Sequence, residues 1–157
     1  MSLESVRAHL AQIADDIEII VTQEISATVE DAAKAHQVES AQIAKTLSFR
    51  IKDEVLLLVT RGDMRLDNTK AKAQFGAKLS MLKMDEVVAL TGHPVGGICP
   101  FGLKTPLPVY CDISLQAFDV VIPAAGAINA ALRITPTRLA EITAAQWVDV
   151  CQAPRTA

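Results

Sequence analysis

Apolar positions recur along the chain in two rhythms, and the switches between them mark out helices and strands. Val6, Leu10, Ile13 and Ile17 return at three- and four-residue spacing, the stripe of an amphipathic helix leading into an apolar strand around Ile17–Thr22. Thr28 stands where a helix N-cap belongs and Asp31 complements the first turn, which predicts a helix over Val29–His36. Thr46–Ile51 and Glu54–Thr60 read as a hairpin around a polar Lys52-Asp53 turn. Val55-Leu56-Leu57-Leu58-Val59 is apolar on both faces, so that strand is expected at the centre of a sheet. Asp67 predicts a cap for a short helix stopping near Gly76, followed by a strand over Lys78–Leu82. Asp85 predicts a cap for Glu86–Leu90, which Thr91-Gly92 would end. Strand candidates follow near Leu107–Asp112, Phe118–Ile122 and Ala130–Ile134. Thr135-Pro136 predicts a closing helix with Leu139, Ile142, Trp147 and Val150 on its apolar face. The pattern implies one α+β domain over residues 1–157, a mixed, largely antiparallel sheet or partial barrel flanked by helices.

Composition narrows the function more than the fold. Half of the 157 residues are hydrophobic but only 4% are aromatic, so the core must be aliphatic. A formal net charge of −3 argues against a generally basic nucleic-acid binder and gives no sign of a DNA partner. The charge is uneven, however. Residues 1–42 carry eight acids and two bases, whereas Arg61–Lys83 carries six bases against Asp63 and Asp67. That basic stretch, with Lys70, Lys72 and Lys78, is either a solvated helix surface or a patch facing phosphates. Cys99, Cys111 and Cys151 show no C-x-x-C spacing, which argues against a disulfide framework and a structural zinc. Apolar runs such as Val55–Val59 are far too short to suggest a membrane span. Met1-Ser2-Leu3-Glu4 has no basic or apolar leader character, so the expected compartment is the cytoplasm.

The most unusual local sequence is Gly92-His93-Pro94-Val95-Gly96-Gly97-Ile98-Cys99-Pro100-Phe101-Gly102. Glycine permits close approach and positive φ, and proline removes donors and stiffens the loop. Such a loop can aim its remaining amides at a carbonyl or oxyanion, or can simply be a tight helix-to-strand connection. It is neither a P-loop nor a dinucleotide fingerprint. Lys45, at the mouth of the first hairpin strand, can point an ammonium into a cleft or snorkel to solvent. His93 offers a base or donor, or a structural imidazole. His9 and His36 fall on polar helix faces and read as surface residues. Cys99 reads either as a nucleophile or as a small filler, and no histidine–acid partner for it is visible. Metal-ligand spacing and a G-x-S-x-G elbow are both absent.

Taken in order, Ala44-Lys45-Thr46-Leu47, Val95 to Gly102, Leu107-Pro108-Val109-Tyr110-Cys111-Asp112 and Ala125-Gly126 resemble the YbaK/EbsC family. These are free-standing relatives of the bacterial prolyl-tRNA synthetase editing domain, and the resemblance runs from about Thr28 to Val150. It implies a hydrolase that cleaves the ester of a mischarged aminoacyl-tRNA, with no cofactor and no metal. A small amino acid such as alanine, serine, threonine or cysteine, carried on a proline tRNA, would be the substrate. On the resemblance, Lys45 would hold the 3′-terminal phosphate or ribose region. Gly96 and Gly97 would act through the backbone, and His93, Ile98, Cys99, Pro100 and Gly126 would surround the substrate. Family members acting on Cys-tRNA carry a serine and an aspartate in the second wall. This chain offers Ala124 and Ala131 there, with Asn129 as an added polar group. Lys70, Lys72 and Lys78 would meet the acceptor stem, and a homo-oligomer is compatible with this reading. A non-catalytic module binding the same aminoacyl end is the alternative, and a thiol enzyme built on Cys99 is a third.

Overall fold

The computed structural model describes residues 2–23 and 28–153. The architecture is α+β with a mixed sheet. In chain order the helices are α1 (Ser2–Ile13), α2 (Val29–His36), α3 (Asn68–Phe75), α4 (Met84–Thr91) and α5 (Pro136–Thr143). The strands are β1 (Ile19–Val21), β2 (Ile43–Ile51), β3 (Glu54–Arg61), β4 (Arg65–Leu66) and β5 (Ser80–Met81). They continue with β6 (Val109–Asp112), β7 (Ile122–Pro123), β8 (Ala130–Leu132), β9 (Gln146–Val148) and β10 (Cys151–Gln152).

The main sheet runs β5-β2-β3-β6-β9, with β7 joining the start of β2. β2 pairs antiparallel with β3 and β5, while β2–β7, β3–β6 and β6–β9 are parallel. Two further antiparallel pairs, β1–β8 and β4–β10, close the sides. The β2–β3 hairpin turns on Lys52 at φ +53. Leu57, Leu58 and Val59 of β3 have no exposed surface, as expected for a strand covered on both faces. Alternation splits them. Leu57 and Val59 join a core with Val6 and Leu10 of α1 and Leu139 of α5. Leu56 and Leu58 join a second core with Phe49, Ala71 of α3 and Val150. Each such buried leucine is worth about 2 kcal/mol of transfer free energy. A third, smaller cluster matters most for the site: Ala33 of α2 sits on Ile43, Ile122 and Ala131.

The expected caps largely hold. Thr28 accepts from the Asp31 amide at 3.1 Å, Asp67 from Lys70 at 3.0 Å and Thr135 from Arg138 at 3.2 Å. The strand expected over Phe118–Ile122 is reduced to β7, which begins at Ile122, and two helix expectations fail. Asp85 does not cap α4, because Lys83 is the N-cap residue and makes no side-chain capping bond. Asp85 lies inside the first turn, where its charge favours the helix dipole instead. Trp147 and Val150 do not extend the closing helix either. Ala144 turns left-handed at φ +54 and ends α5, and Trp147 then pairs with Cys111 in the sheet. The turn after β9 is tied by Asp112, whose carboxylate accepts from Val150 at 2.8 Å and Ser114 at 3.0 Å.

Candidate functional site

The start of β2, β7 and β8 form the floor of a cleft of about 200 Å³, roofed by α2 and bounded by the Gly96–Ile98 loop. That volume lies below the range typical of drug-sized ligands and suits a small group. Ile43, Ala44, Ile98, Ile122, Ala124 and Ala131 supply apolar wall, and Ala124 and Ala131 face each other as a bridged pair. Lys45, Thr46, Thr28 and His36 supply the polar side chains.

The loop's shape follows from its sequence. Thr91 donates to Val87 O at 2.7 Å and accepts the His93 amide at 3.1 Å, which turns the chain out of α4. Gly96 sits at φ +90, a region an L side chain rarely adopts. Gly97 packs so closely on the next wall that an added Cβ would meet Ala127 N at 2.7 Å. The two walls are joined by the Gly126 amide, which donates to Gly97 O at 3.1 Å. The Gly97 amide is spent on Pro94 O at 2.9 Å. Among the described residues, the Gly96 and Ile98 amides have no acceptor within the protein.

Lys45 alternates with Leu47 and Phe49, so its stem turns toward the second core. Its Nζ donates to Met64 O at 2.6 Å. Burial lowers its pKa, while the nearby Cys151, Asp63 and Glu30 oppose that shift. On the opposite side of the strand, the Thr46 hydroxyl is buried and unpartnered. A polar atom left unpaired in this way ordinarily costs about 1–3 kcal/mol, and an incoming ligand would relieve it.

Of the residues expected at the site, the structure brings Lys45, Gly96 and Ile98 to the cleft, with Ala124 and Ala131 on its wall. Gly97 contributes tight packing rather than a free donor. His93 and Cys99 lie behind the loop with no exposed surface. His93 Nε2 donates to Phe101 O at 2.7 Å and Nδ1 accepts from the Ser2 hydroxyl; burial lowers the pKa of this ring. Burial also pushes the Cys99 thiol up to about 12, so no thiolate is available for attack near neutral pH. Pro100 borders a different depression, beside Ser5 and His9 of α1. Gly126 backs onto α1, where an added Cβ would meet Ser2 O at 2.8 Å. Asn129 is spent on Thr22 O at 2.9 Å, holding β1 to β8, and does not line the cleft.

The basic stretch divides. Lys70 pairs with Asp149 at 3.1 Å and Cys151 O at 3.2 Å, whereas Lys72 and Lys78 line one open surface depression. Sequence reasoning missed three residues. His36 is 6% exposed and lines the cleft, its pKa lowered by burial and then by the Arg133 charge. Its place in the last turn of α2, one turn from Ala33, was the available signal. His9 accepts the Gly102 amide at 2.9 Å rather than standing free on the surface. Thr46 was legible only as the opposite-facing neighbour of Lys45. Among the described residues, no group of three or more His, Cys, Asp or Glu side chains could hold a metal.

Comparison with known proteins places the chain in a family. Residues 23–142 match the model of the aminoacyl-tRNA editing domain. The chain is 45% identical over 154 residues to "Uncharacterized protein YwhH" of Bacillus subtilis, covering 97% of this chain and 98% of that one. It is 29% identical over 125 residues to "Putative Cys-tRNA(Pro)/Cys-tRNA(Cys) deacylase EbsC" of Enterococcus faecalis, covering 78% and 76% respectively. Its fold superposes with a TM-score of 0.89 on the crystal structure of "a putative trans-editing enzyme for prolyl tRNA synthetase". That pair is 33% identical over 97% of this chain and 98% of the other. A match to the domain over residues 23–142 and a shared fold along nearly the whole chain lead to one placement: the protein belongs to the aminoacyl-tRNA editing domain family, with the YbaK/EbsC-type proteins.

Proposed function

We propose that the protein hydrolyses the ester of a mischarged aminoacyl-tRNA in trans, with a small amino acid in the cleft. The observation that carries this reading is the pair of amides at Gly96 and Ile98, without an acceptor among the described residues, in the two loop residues that line an apolar cleft of about 200 Å³. In the proposed reaction, water attacks the aminoacyl carbonyl. The two amides stabilise the oxyanion, the acyl–oxygen bond breaks, and the ribose oxygen leaves as a hydroxyl, taking up the proton that the attacking water gives up. An aminoacyl ester is already activated, so positioning and oxyanion stabilisation supply most of the rate. Lys45 would exchange Met64 O for the 3′-terminal phosphate or ribose, an exchange favoured by a full negative charge.

The wall of Ala124 and Ala131 favours alanine over a polar side chain, and serine, threonine and cysteine complete the small set. A proline tRNA is the proposed carrier. Deacylation of proline tRNA charged with each of these four amino acids tests the reading. Alanine should be released fastest, and spontaneous-rate release of all four would refute it. Binding without hydrolysis is favoured by one observation, the engagement of Lys45 by a backbone carbonyl. Under that reading, charged tRNA would bind and remain charged.

A further inference from the structure

The loop that bounds the cleft is held from behind by the first helix. His93, at its entry, receives the Ser2 hydroxyl on Nδ1 and donates through Nε2 to Phe101 O at 2.7 Å, bridging the two ends of the loop. Gly102, at its exit, donates its amide to His9 Nδ1 at 2.9 Å. The fit there is tight: a Cβ on Gly102 would meet Ser5 O at 2.6 Å and Val6 N at 2.8 Å. Gly126 is pressed onto the same helix, where a Cβ would meet Ser2 O at 2.8 Å and Val6 Cγ2 at 2.9 Å. Its amide in turn fixes Gly97 O at 3.1 Å. Val6 has no exposed surface and Leu10 only 2%, so α1 is itself seated in the main core.

We infer that α1, which precedes the family-matched residues, sets the position of the Gly96–Ile98 wall, with Ser2 and His9 as positioning residues. Neither side chain lines the cleft. They act through the ends of the loop, Ser2 on the entry and His9 on the exit, and the closely packed Gly126 carries the helix surface to Gly97. A rigid helix behind the loop lets two backbone amides hold their aim without a side chain of their own. Misplacing a reacting group by about an ångström can cost on the order of 100-fold in rate. The inference rests on the proposed hydrolysis for its kinetic arm only.

The test compares His9→Ala, His9→Asn and Ser2→Ala in the full chain. The Asn carbonyl can accept the Gly102 amide where Nδ1 does, so His9→Asn should restore what His9→Ala loses. His9→Ala and Ser2→Ala should each lower kcat about 10-fold, with KM for charged tRNA within about twofold of wild type. Independently of activity, exchange of the hydrogen-bonded Gly97 and Gly126 amides should accelerate in His9→Ala while β2 and β3 remain protected. Unchanged exchange in the loop overturns the inference, as does equal acceleration across the sheet, which would mark a general loss of stability. If the wild-type protein deacylates nothing, the proposed function fails. The exchange comparison still decides the role of α1.

Discussion

The cleft loop and the basic stretch between Arg61 and Lys83 both stand out in the sequence, and the structure treats them differently. In the basic stretch, two of the six bases are matched within the protein. Arg61 grips Asp63 at 2.5 and 2.7 Å, and Lys70 holds Asp149. At the cleft, among the described residues, polar groups are left unmatched beside an apolar wall: the Gly96 and Ile98 amides, and the Thr46 hydroxyl. Exposed ion pairs contribute about 0–1 kcal/mol and answer to no ligand. Unpaired polar atoms beside a cavity cost stability until something fills it, so they mark the site better than charge does.

The sharpest way to break this contrast is at Gly96. An alanine there must adopt φ near +90, at a cost of about 1–2 kcal/mol, and the amide loses its aim. Gly96→Ala should lower kcat by about 100- to 1000-fold, measured by release of the amino acid from charged tRNA. Lys45→Ala comes next. Loss of one charge-assisted contact predicts a fall of about 10- to 100-fold in kcat/KM, with a folded protein by circular dichroism.

Protonation gives a third prediction. Burial holds the folded-state pKa values of His36 and His93 below 6.5, so the unfolded chain binds more protons near and below that value. Stability is therefore full above about pH 7 and declines as pH falls through about 6.5. Thermal midpoints should drop between about pH 7.5 and 5.5, and His36→Gln should make that drop shallower.

The basic stretch can be sharpened in turn. Lys72→Ala with Lys78→Ala should reduce the salt dependence of tRNA binding by about one to two logarithmic slope units. Lys70→Ala should leave the slope unchanged, because Asp149 already pairs with that ammonium. A slope equal to that of the wild type in both variants would show the whole stretch to be solvated surface. The smallest effect is expected at the cysteines. All three thiols are buried with pKa values pushed up to about 12, so iodoacetamide at about pH 8 should leave the native protein unlabelled. Mass spectrometry should find label only after denaturation.

Much of the fold was legible because local signals agreed with tertiary ones. Thr28, Asp67 and Thr135 cap the helices they precede, and the doubly apolar Val55–Val59 run is central. Trp147 misled because it and Val150 fall eight and eleven residues after Leu139, positions on one helical face, although Ala144 turns left-handed before them. Lys45, Gly96 and Ile98 were legible in the site, since strand mouth and loop are local features. Asn129 was not, because its partner Thr22 lies 107 residues away. His9 and His93 were hidden for the same reason: their partners Gly102 and Ser2 are distant in sequence.

The most direct measurement of the central claim uses a substrate that cannot turn over. An amide-linked analogue of 3′-aminoacyl adenosine, carrying alanine, can be titrated while the backbone amides are followed by NMR. Hydrogen bonding to the carbonyl should move the Gly96 and Ile98 amide protons downfield, while Gly97, already bonded to Pro94, stays nearly still. Shifts confined to residues outside 96–98, with Gly96 and Ile98 unmoved at saturation, would contradict the account.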